Sequence, residues 1–169
     1  MAALFWSKFT LESISSFSFI KTIKKIEYSI EIITITLIFE NRKICGVLEG
    51  EQIEAQFKCS GGFLLITSYN YYDGTDYWYY FLNTDLEVKD MIFDPYVSFL
   101  YVEKIDIVDL RVLELSFLKP NETWHLVIHS KPIWDFSLSA ILKRPFRFIF
   151  KKTNYVFVQT EATELNKRY

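Results

Sequence analysis

Apolar and polar residues alternate one by one along most of this chain of 169 residues. The segment IEAQFKC (53–59) is typical, because its apolar side chains occupy every second position. Successive side chains of a strand point to opposite faces, so this period predicts β-strands. Similar runs recur with turn signals between them, for example at Gly61-Gly62 and Asp94-Pro95. The pattern predicts a mainly β fold, an antiparallel β-sandwich or barrel, in a single domain over residues 1–169.

The N-terminal segment LESISSFSFIKTIKKIEY (11–28) departs from this pattern. A helix starting at Thr10 would carry Glu12 in its first turn and lysines near its end, as the helix dipole prefers. The serine and phenylalanine content of SFSFIKTI (16–23) equally suits a strand. We predict a short N-terminal helix, with a strand as the alternative.

The two cysteines, Cys45 and Cys59, each lie on an apolar alternation and form no CxxC motif. The first ten residues, MAALFWSKFT, lack the basic region with which a secretory leader begins. No run approaches the ~18 apolar residues of a membrane-spanning helix. We therefore expect two buried thiols rather than a disulfide, in a cytoplasmic protein that does not associate with a membrane.

Charge is distributed unevenly along the chain. Residues 49–110 carry a net charge of −9 and residues 111–169 a net charge of +5, within a total of −2. This asymmetry predicts either a molecule with one acidic and one basic face or mutual neutralisation across a shared sheet.

The segment NYYDGTDYWYYFLN (70–83) has seven aromatic side chains around an Asp-Gly pair. Asp73-Gly74 indicates a hairpin with a two-residue type I′ turn, which would pair Tyr72 with Thr75. We expect the hairpin face bearing Tyr72, Tyr77 and Tyr79 to be exposed and the opposite face to lie on the core. Exposed Tyr and Trp are enriched at interface hot spots. The alternative is purely structural, since cross-strand aromatic pairs stabilise a sheet by roughly 0.2–1 kcal/mol each.

No motif in the chain indicates catalysis, a cofactor or a metal. His125 and His129 alternate with apolar residues, and positions four apart in a strand are separated by about 13 Å, too far to share one ion. The chain has no GxSxG or GxGxxG sequence, and the spacing of its acids selects no pair. RPFRFIFKK (144–152) places its phenylalanines on one strand face, as a core strand does, so nucleic-acid binding is not expected.

A compact β-rich domain without catalytic motifs, with YNYYDGTDYWYY (69–80) and an acid-rich stretch (85–109), resembles the immunity proteins of bacterial toxin systems, including those of contact-dependent growth inhibition. The resemblance implies a cytoplasmic bacterial inhibitor, not an enzyme, that neutralises a basic protein toxin such as a nuclease by covering its active site or a nearby exosite. The predicted partner-binding residues are Tyr71, Tyr72, Asp73, Asp76, Tyr77 and Tyr79, with electrostatic support from Asp85, Glu87, Asp90 and Asp94.

Two other functions remain open on the sequence. A hydrolase could use paired carboxylates in the mouth of a β-barrel. A carrier of small ligands would instead line a barrel interior with its aromatic side chains. Exposure of Tyr72, Tyr77 and Tyr79 distinguishes a binding surface from a ligand-filled interior.

Overall fold

The computed structural model describes residues 11–26, 30–40, 42–59, 61–72, 74–98, 102–117, 123–134 and 153–160. These residues form β1 (Glu12–Ser13), β2 (Phe17–Ile26), β3 (Ile30–Phe39), β4 (Arg42–Glu49), β5 (Gln52–Cys59), β6 (Gly62–Asn70), β7 (Gly74–Asn83), β8 (Val88–Ser98), β9 (Val102–Asp109), β10 (Val112–Phe117), β11 (Thr123–Ile133) and β12 (Thr153–Thr160).

The strands form three antiparallel sheets, which confirms the prediction of a mainly β, antiparallel fold. The central sheet has the order β1-β5-β6-β7-β8. The N-terminal sheet has the order β2-β3-β4, and the C-terminal sheet has the order β12-β11-β10-β9. Most strands that are neighbours in a sheet are also neighbours in the chain.

The central sheet is covered on both faces, so the described sheets stack in three layers. Alternate side chains of β7 point in opposite directions. Tyr77, Tyr79 and Phe81 pack with Leu113 and Leu126 of the C-terminal sheet. In the other direction, Trp78, Tyr80 and Leu82 pack in a second cluster that includes Ile35, Leu37 and Leu48 of the N-terminal sheet.

The short N-terminal helix was predicted in a segment that carries strands instead. Residues 12–13 form β1 and residues 17–26 form β2, and no helix occurs in residues 11–26; residues 1–10 lie outside the described part. Phe17 is buried and packs against Phe39 and Phe63. The side chain of Gln56 also holds the backbone of Phe17 in place. It accepts a hydrogen bond from the Phe17 N–H and donates one to the Phe17 carbonyl, each at 2.8 Å.

The tyrosine-rich hairpin forms between β6 and β7, but its turn is longer than predicted. The last pair between β6 and β7 joins Asn70 to Thr75, so four residues rather than the predicted two separate the paired positions. Gly74 is already part of β7 and pairs with Ser98 of β8, and its carbonyl accepts a hydrogen bond from the Tyr71 N–H at 2.8 Å. The register differs from the predicted one by two residues, so the side chains that share a face are unchanged.

Candidate functional site

The predicted partner-binding tyrosines fall into two groups by exposure. Tyr71 is 45% exposed and Tyr72 is 104% exposed, whereas Tyr77 is 3% and Tyr79 is 0% exposed. The prediction that Tyr77 and Tyr79 lie on an exposed face is wrong, because the C-terminal sheet covers that face of the central sheet. Only the tip of the hairpin extends beyond the cover.

The hydroxyl groups of the buried tyrosines connect the sheets. The Tyr77 hydroxyl accepts a hydrogen bond from the Val102 N–H of β9 at 2.9 Å. The Tyr80 hydroxyl, on the opposite face, accepts one from the Glu49 N–H of β4 at 3.0 Å. A buried phenol needs such a partner, and here the partner is the backbone of a flanking sheet. These two side chains therefore have a structural role in holding the layers together.

The predicted acids also differ in their exposure to solvent. Asp85 and Glu87 are exposed on the turn between β7 and β8, while Asp90 is 1% exposed, and its carboxylate accepts a hydrogen bond from the Met91 N–H at 2.9 Å. The residue Asp73 and the side chain of Asp94 lie outside the described part of the structure.

The exposed acids and the exposed tyrosines lie at opposite ends of the central sheet. β7 has ten residues, so its two ends are about 30 Å apart. The β6–β7 loop with Tyr71 and Tyr72 is at one end, and the turn with Asp85 and Glu87 is at the other. The described candidate residues therefore do not form one patch, and among them only Tyr71, Tyr72 and Asp76 are brought together.

The end of the β6–β7 hairpin holds Tyr71 in a defined position. Its hydroxyl donates a hydrogen bond to Asp76 Oδ2 at 2.9 Å, and its ring lies 4.6 Å from that of Tyr69. Burial of the phenol, with the hydrogen bond to Asp76 and the charge of that carboxylate, raises the pKa of Tyr71 to about 12. Thr75 Oγ1 donates to Asn70 Oδ1 at 2.8 Å and closes the loop. We call Asn70, Tyr71, Tyr72 and Asp76 the tyrosine tip.

Glu51 anchors the base of the tyrosine tip to the N-terminal sheet. Its carboxylate accepts a hydrogen bond from the Asn70 N–H at 3.0 Å and forms an ion pair with Lys21 of β2 at 2.9 Å. Burial alone would raise the pKa of Glu51, but the hydrogen bonds from Lys21 and Asn70 outweigh burial and lower it. Glu51 is therefore ionised at neutral pH and acts chiefly as a brace for the tip.

A second feature is an open cavity of about 590 Å³ between β5 of the central sheet and β9 of the C-terminal sheet. Residues 53–57 and 102–107 line it, together with Ser13 and Ile14. Its charged lining groups are three carboxylates and one ammonium, from Glu54, Glu103, Asp106 and Lys104. Glu54 is held in place by hydrogen bonds from Ser68 and Gln52. We call this cavity the edge groove.

Sequence reasoning missed the edge groove because its two sides come from strands far apart in the chain. The spacing of the acids in YVEKIDIVDL (101–110) selected no pair. No local pattern shows that β9 ends one sheet and faces β5 of another. The only local signal is the concentration of acids in a strand that also carries Ile105 and Ile107.

The remaining candidate groups offer little reactive chemistry. Among the described residues, no group of three His, Cys, Asp or Glu side chains could hold a metal ion. His125 lies on β11, a strand as predicted, and its Nε2 is 3.1 Å from Glu114 Oε2. Cys59 is a buried free thiol, as predicted, and burial raises its pKa to about 12, so it stays protonated at neutral pH. The side chain of Cys45 lies outside the described part.

No protein family model, curated protein sequence or solved structure matches this chain. The part of the chain that the structure describes contains no helix long and apolar enough to cross a membrane. The described residues form three stacked antiparallel sheets, with an exposed aromatic tip and an acidic groove at a sheet edge. Any functional proposal therefore depends on the geometry and charge of these two features.

Proposed function

We propose that the protein is a non-enzymatic inhibitor that binds and neutralises a basic protein toxin, as bacterial immunity proteins do. The observation that carries the proposal is the tyrosine tip. Tyr72 is fully exposed beside Tyr71, whose ring and hydroxyl are already held by Tyr69 and Asp76. Exposed tyrosines are enriched among the few residues that carry most of the binding energy of protein interfaces, and two of them lie side by side here.

The geometry of the tip favours protein binding for an entropic reason. Binding immobilises side chains, which costs roughly 0.5–1.5 kcal/mol for each rotamer-rich side chain. Tyrosine has few torsions to fix, and Tyr71 is already restrained before a partner arrives. A pocket on the partner would bury the rings and gain their apolar area without much of this cost.

Charge supports a basic partner. Exposed acids outnumber exposed cations two to one among the described side chains of residues 49–110. Such an excess attracts and orients a cationic surface and raises the association rate. The acids are Glu49, Glu54, Asp85, Glu87, Glu103 and Asp109, and the cations are Lys58, Lys89 and Lys104.

The packing of the aromatic residues gives less support to a small-ligand carrier. A carrier would arrange its rings around a cavity. Tyr77, Tyr79 and Phe81 instead fill a core with leucines of the C-terminal sheet, and of the described aromatic side chains only Phe57 lines the edge groove.

The test is coexpression of the chain with each protein encoded by the open reading frames that adjoin its gene. We expect the chain to restore the growth of cells that one of these proteins arrests, and the two to copurify. The double substitution Tyr71→Ala with Tyr72→Ala should weaken the complex by at least about 2 kcal/mol, or roughly 30-fold in Kd, because it removes both rings of the tip. Titration calorimetry measures the loss.

A matched control is Thr84→Ala, at the opposite end of the central sheet, which should leave Kd within about twofold because the side chain is exposed and far from the tip. Absence of any protective effect, or a Kd that the double alanine substitution leaves unchanged, would overturn the proposal.

A further inference from the structure

The edge groove runs along the edges of two strands rather than across the face of a sheet. Six consecutive residues of β9, 102–107, and five of β5, 53–57, line it. Consecutive side chains of a strand point to opposite faces. A cavity that contacts every residue in turn must therefore follow the backbone edge of the strand. The groove is the place where the central and C-terminal sheets leave their edges open side by side.

Both edges retain backbone groups without a neighbouring strand among the described residues. β9 ends the C-terminal sheet and pairs only with β10. On the other side, β1 covers β5 only at Phe57 and Lys58, with one more bond from the Ile14 N–H to the Gln56 carbonyl. An open strand edge is a template for a further strand.

Ile107 shows that the inner side of this edge lacks cover. It pairs with Leu113, and the next pair on the same face joins Ile105 to Leu115. Leu113 and Leu115 are fully buried in the core. The register therefore places Ile107 on the inner face of the C-terminal sheet, yet its side chain is 40% exposed. An apolar side chain of an added strand would cover it.

The charge of the groove selects the chemistry of that strand. The groove is lined by three carboxylates, of Glu54, Glu103 and Asp106, and by one cation, Lys104, whose Nζ is 2.7 Å from Asp106 Oδ2. That hydrogen bond and the charge of Asp106 raise the pKa of Lys104. Because Lys104 is paired with Asp106, the carboxylates of Glu54 and Glu103 give the groove its excess of negative charge. Cationic side chains complement this lining, and acidic ones are repelled.

We propose that the edge groove binds an extended, cationic segment of the partner protein as an additional β-strand on the free edge of β9. Apolar side chains of the segment cover Ile107, and its cationic side chains complement the carboxylates that line the groove. Main-chain hydrogen bonds to β9 supply affinity, and the charged lining supplies selectivity. The inference rests on the proposed function only in taking the partner to be basic.

The test uses a synthetic nine-residue peptide of alternating lysine and valine with blocked ends, titrated into the full chain labelled with ¹⁵N. We expect amide shifts concentrated in β9 and slower hydrogen exchange of β9 amides in the complex. A peptide of the same sequence, N-methylated at every backbone nitrogen, keeps its charge but loses all its backbone N–H donors. It should bind at least about tenfold more weakly, because the ladder cannot form.

Two substitutions on the chain separate the groove from general electrostatic attraction. Glu103→Lys reverses one lining charge at an exposed position and should weaken peptide binding by about tenfold. The matched change Asp85→Lys has the same effect on net charge but lies away from the groove, so it should weaken binding by less than about twofold. Unchanged midpoints of thermal unfolding would show that both variants remain folded.

The inference is overturned if neither peptide binds, if the N-methylated peptide binds as well as its parent, or if Glu103→Lys and Asp85→Lys have equal effects. It is also overturned if the chain alone forms a dimer that protects the β9 amides, since the groove would then serve a second copy. The tip variant with Tyr71→Ala and Tyr72→Ala should bind the peptide normally. Loss of toxin binding in that variant, with no peptide binding to any form, would retain the proposed function and reject only the strand-accepting groove.

Discussion

The body and the tip of the β6–β7 hairpin use the same residue type in opposite ways. In the body, Tyr77, Tyr79 and Tyr80 are at most 3% exposed, because each face of β7 lies under another sheet. At the tip, Tyr71 and Tyr72 extend beyond both covering sheets. The comparison shows that position relative to the flanking sheets, rather than residue type, determines whether a tyrosine supports the fold or can contact a partner.

The tyrosine hydroxyls of the hairpin body form hydrogen bonds to other sheets, whereas that of the tip forms one within the hairpin. The Tyr77 and Tyr80 hydroxyls accept from backbone N–H groups of other sheets. The Tyr71 hydroxyl donates to Asp76 within its own hairpin. Removal of a ring or hydroxyl should therefore affect global stability in the body and mainly local order at the tip.

Tyr79→Ala should have the largest effect on folding. Its side chain is completely buried, and truncation of a buried aromatic to alanine costs about 3–5 kcal/mol because it leaves a cavity. Equilibrium unfolding in urea, followed by tryptophan fluorescence, gives the free energy of unfolding. A loss below about 1 kcal/mol would mean that the core between the central and C-terminal sheets is not as described.

Tyr77→Phe should have the next largest effect. The ring stays, but the Val102 N–H loses the acceptor that it contacts at 2.9 Å. The bond is partly buried, so its loss should cost about 0.5–1.5 kcal/mol, the usual net contribution of one hydrogen bond. Hydrogen exchange should also speed up at the Val102 amide, where the contact between sheets is lost. Tyr71→Phe is the control, and it should cost less, because that phenol is half exposed and water can replace it as a partner of Asp76.

The sequence predicted strands, antiparallel pairing and the shared faces of the hairpin, because these depend on local alternation and on the Asp73-Gly74 turn signal. It did not predict the burial of both hairpin faces. That burial depends on the N-terminal and C-terminal sheets, whose order no local pattern specifies. One signal was present, since WYYFL (78–82) is a continuous apolar run, which is typical of a strand covered on both faces.

The predicted acidic tyrosine patch failed for a related reason. A hairpin of about ten residues per strand places its turn and its far end about 30 Å apart, so Tyr72 and Glu87 cannot share a patch although they are close in the chain. The edge groove, in contrast, brings Glu54 and Asp106 to one cavity. Its formation depends on which strands end the sheets.

The pKa of Tyr71 tests whether its hydroxyl is held against Asp76 at the tip. Its pKa in the folded chain is raised from 10.0 to about 12. Between these two values the folded state keeps a proton that the unfolded state has lost. The contribution of Tyr71 to the free energy of unfolding is therefore complete below pH 10 and is lost as the pH rises toward 12. Absorbance of phenolate near 295 nm, as a difference between wild type and Tyr71→Phe, isolates this group. A midpoint near 10 would show that Tyr71 is not held against Asp76.

Tyr72→Ala should have the smallest effect on folding and so completes the comparison. The side chain is fully exposed, and substitutions at such positions usually change the free energy of unfolding by less than about 0.5 kcal/mol. The same substitution should weaken binding to the toxin measurably, since it removes the most exposed ring of the tip. Urea unfolding and calorimetry on one preparation measure both quantities. A loss of stability comparable to that of Tyr79→Ala would mean that Tyr72 packs against its own chain, and the division between body and tip would fail.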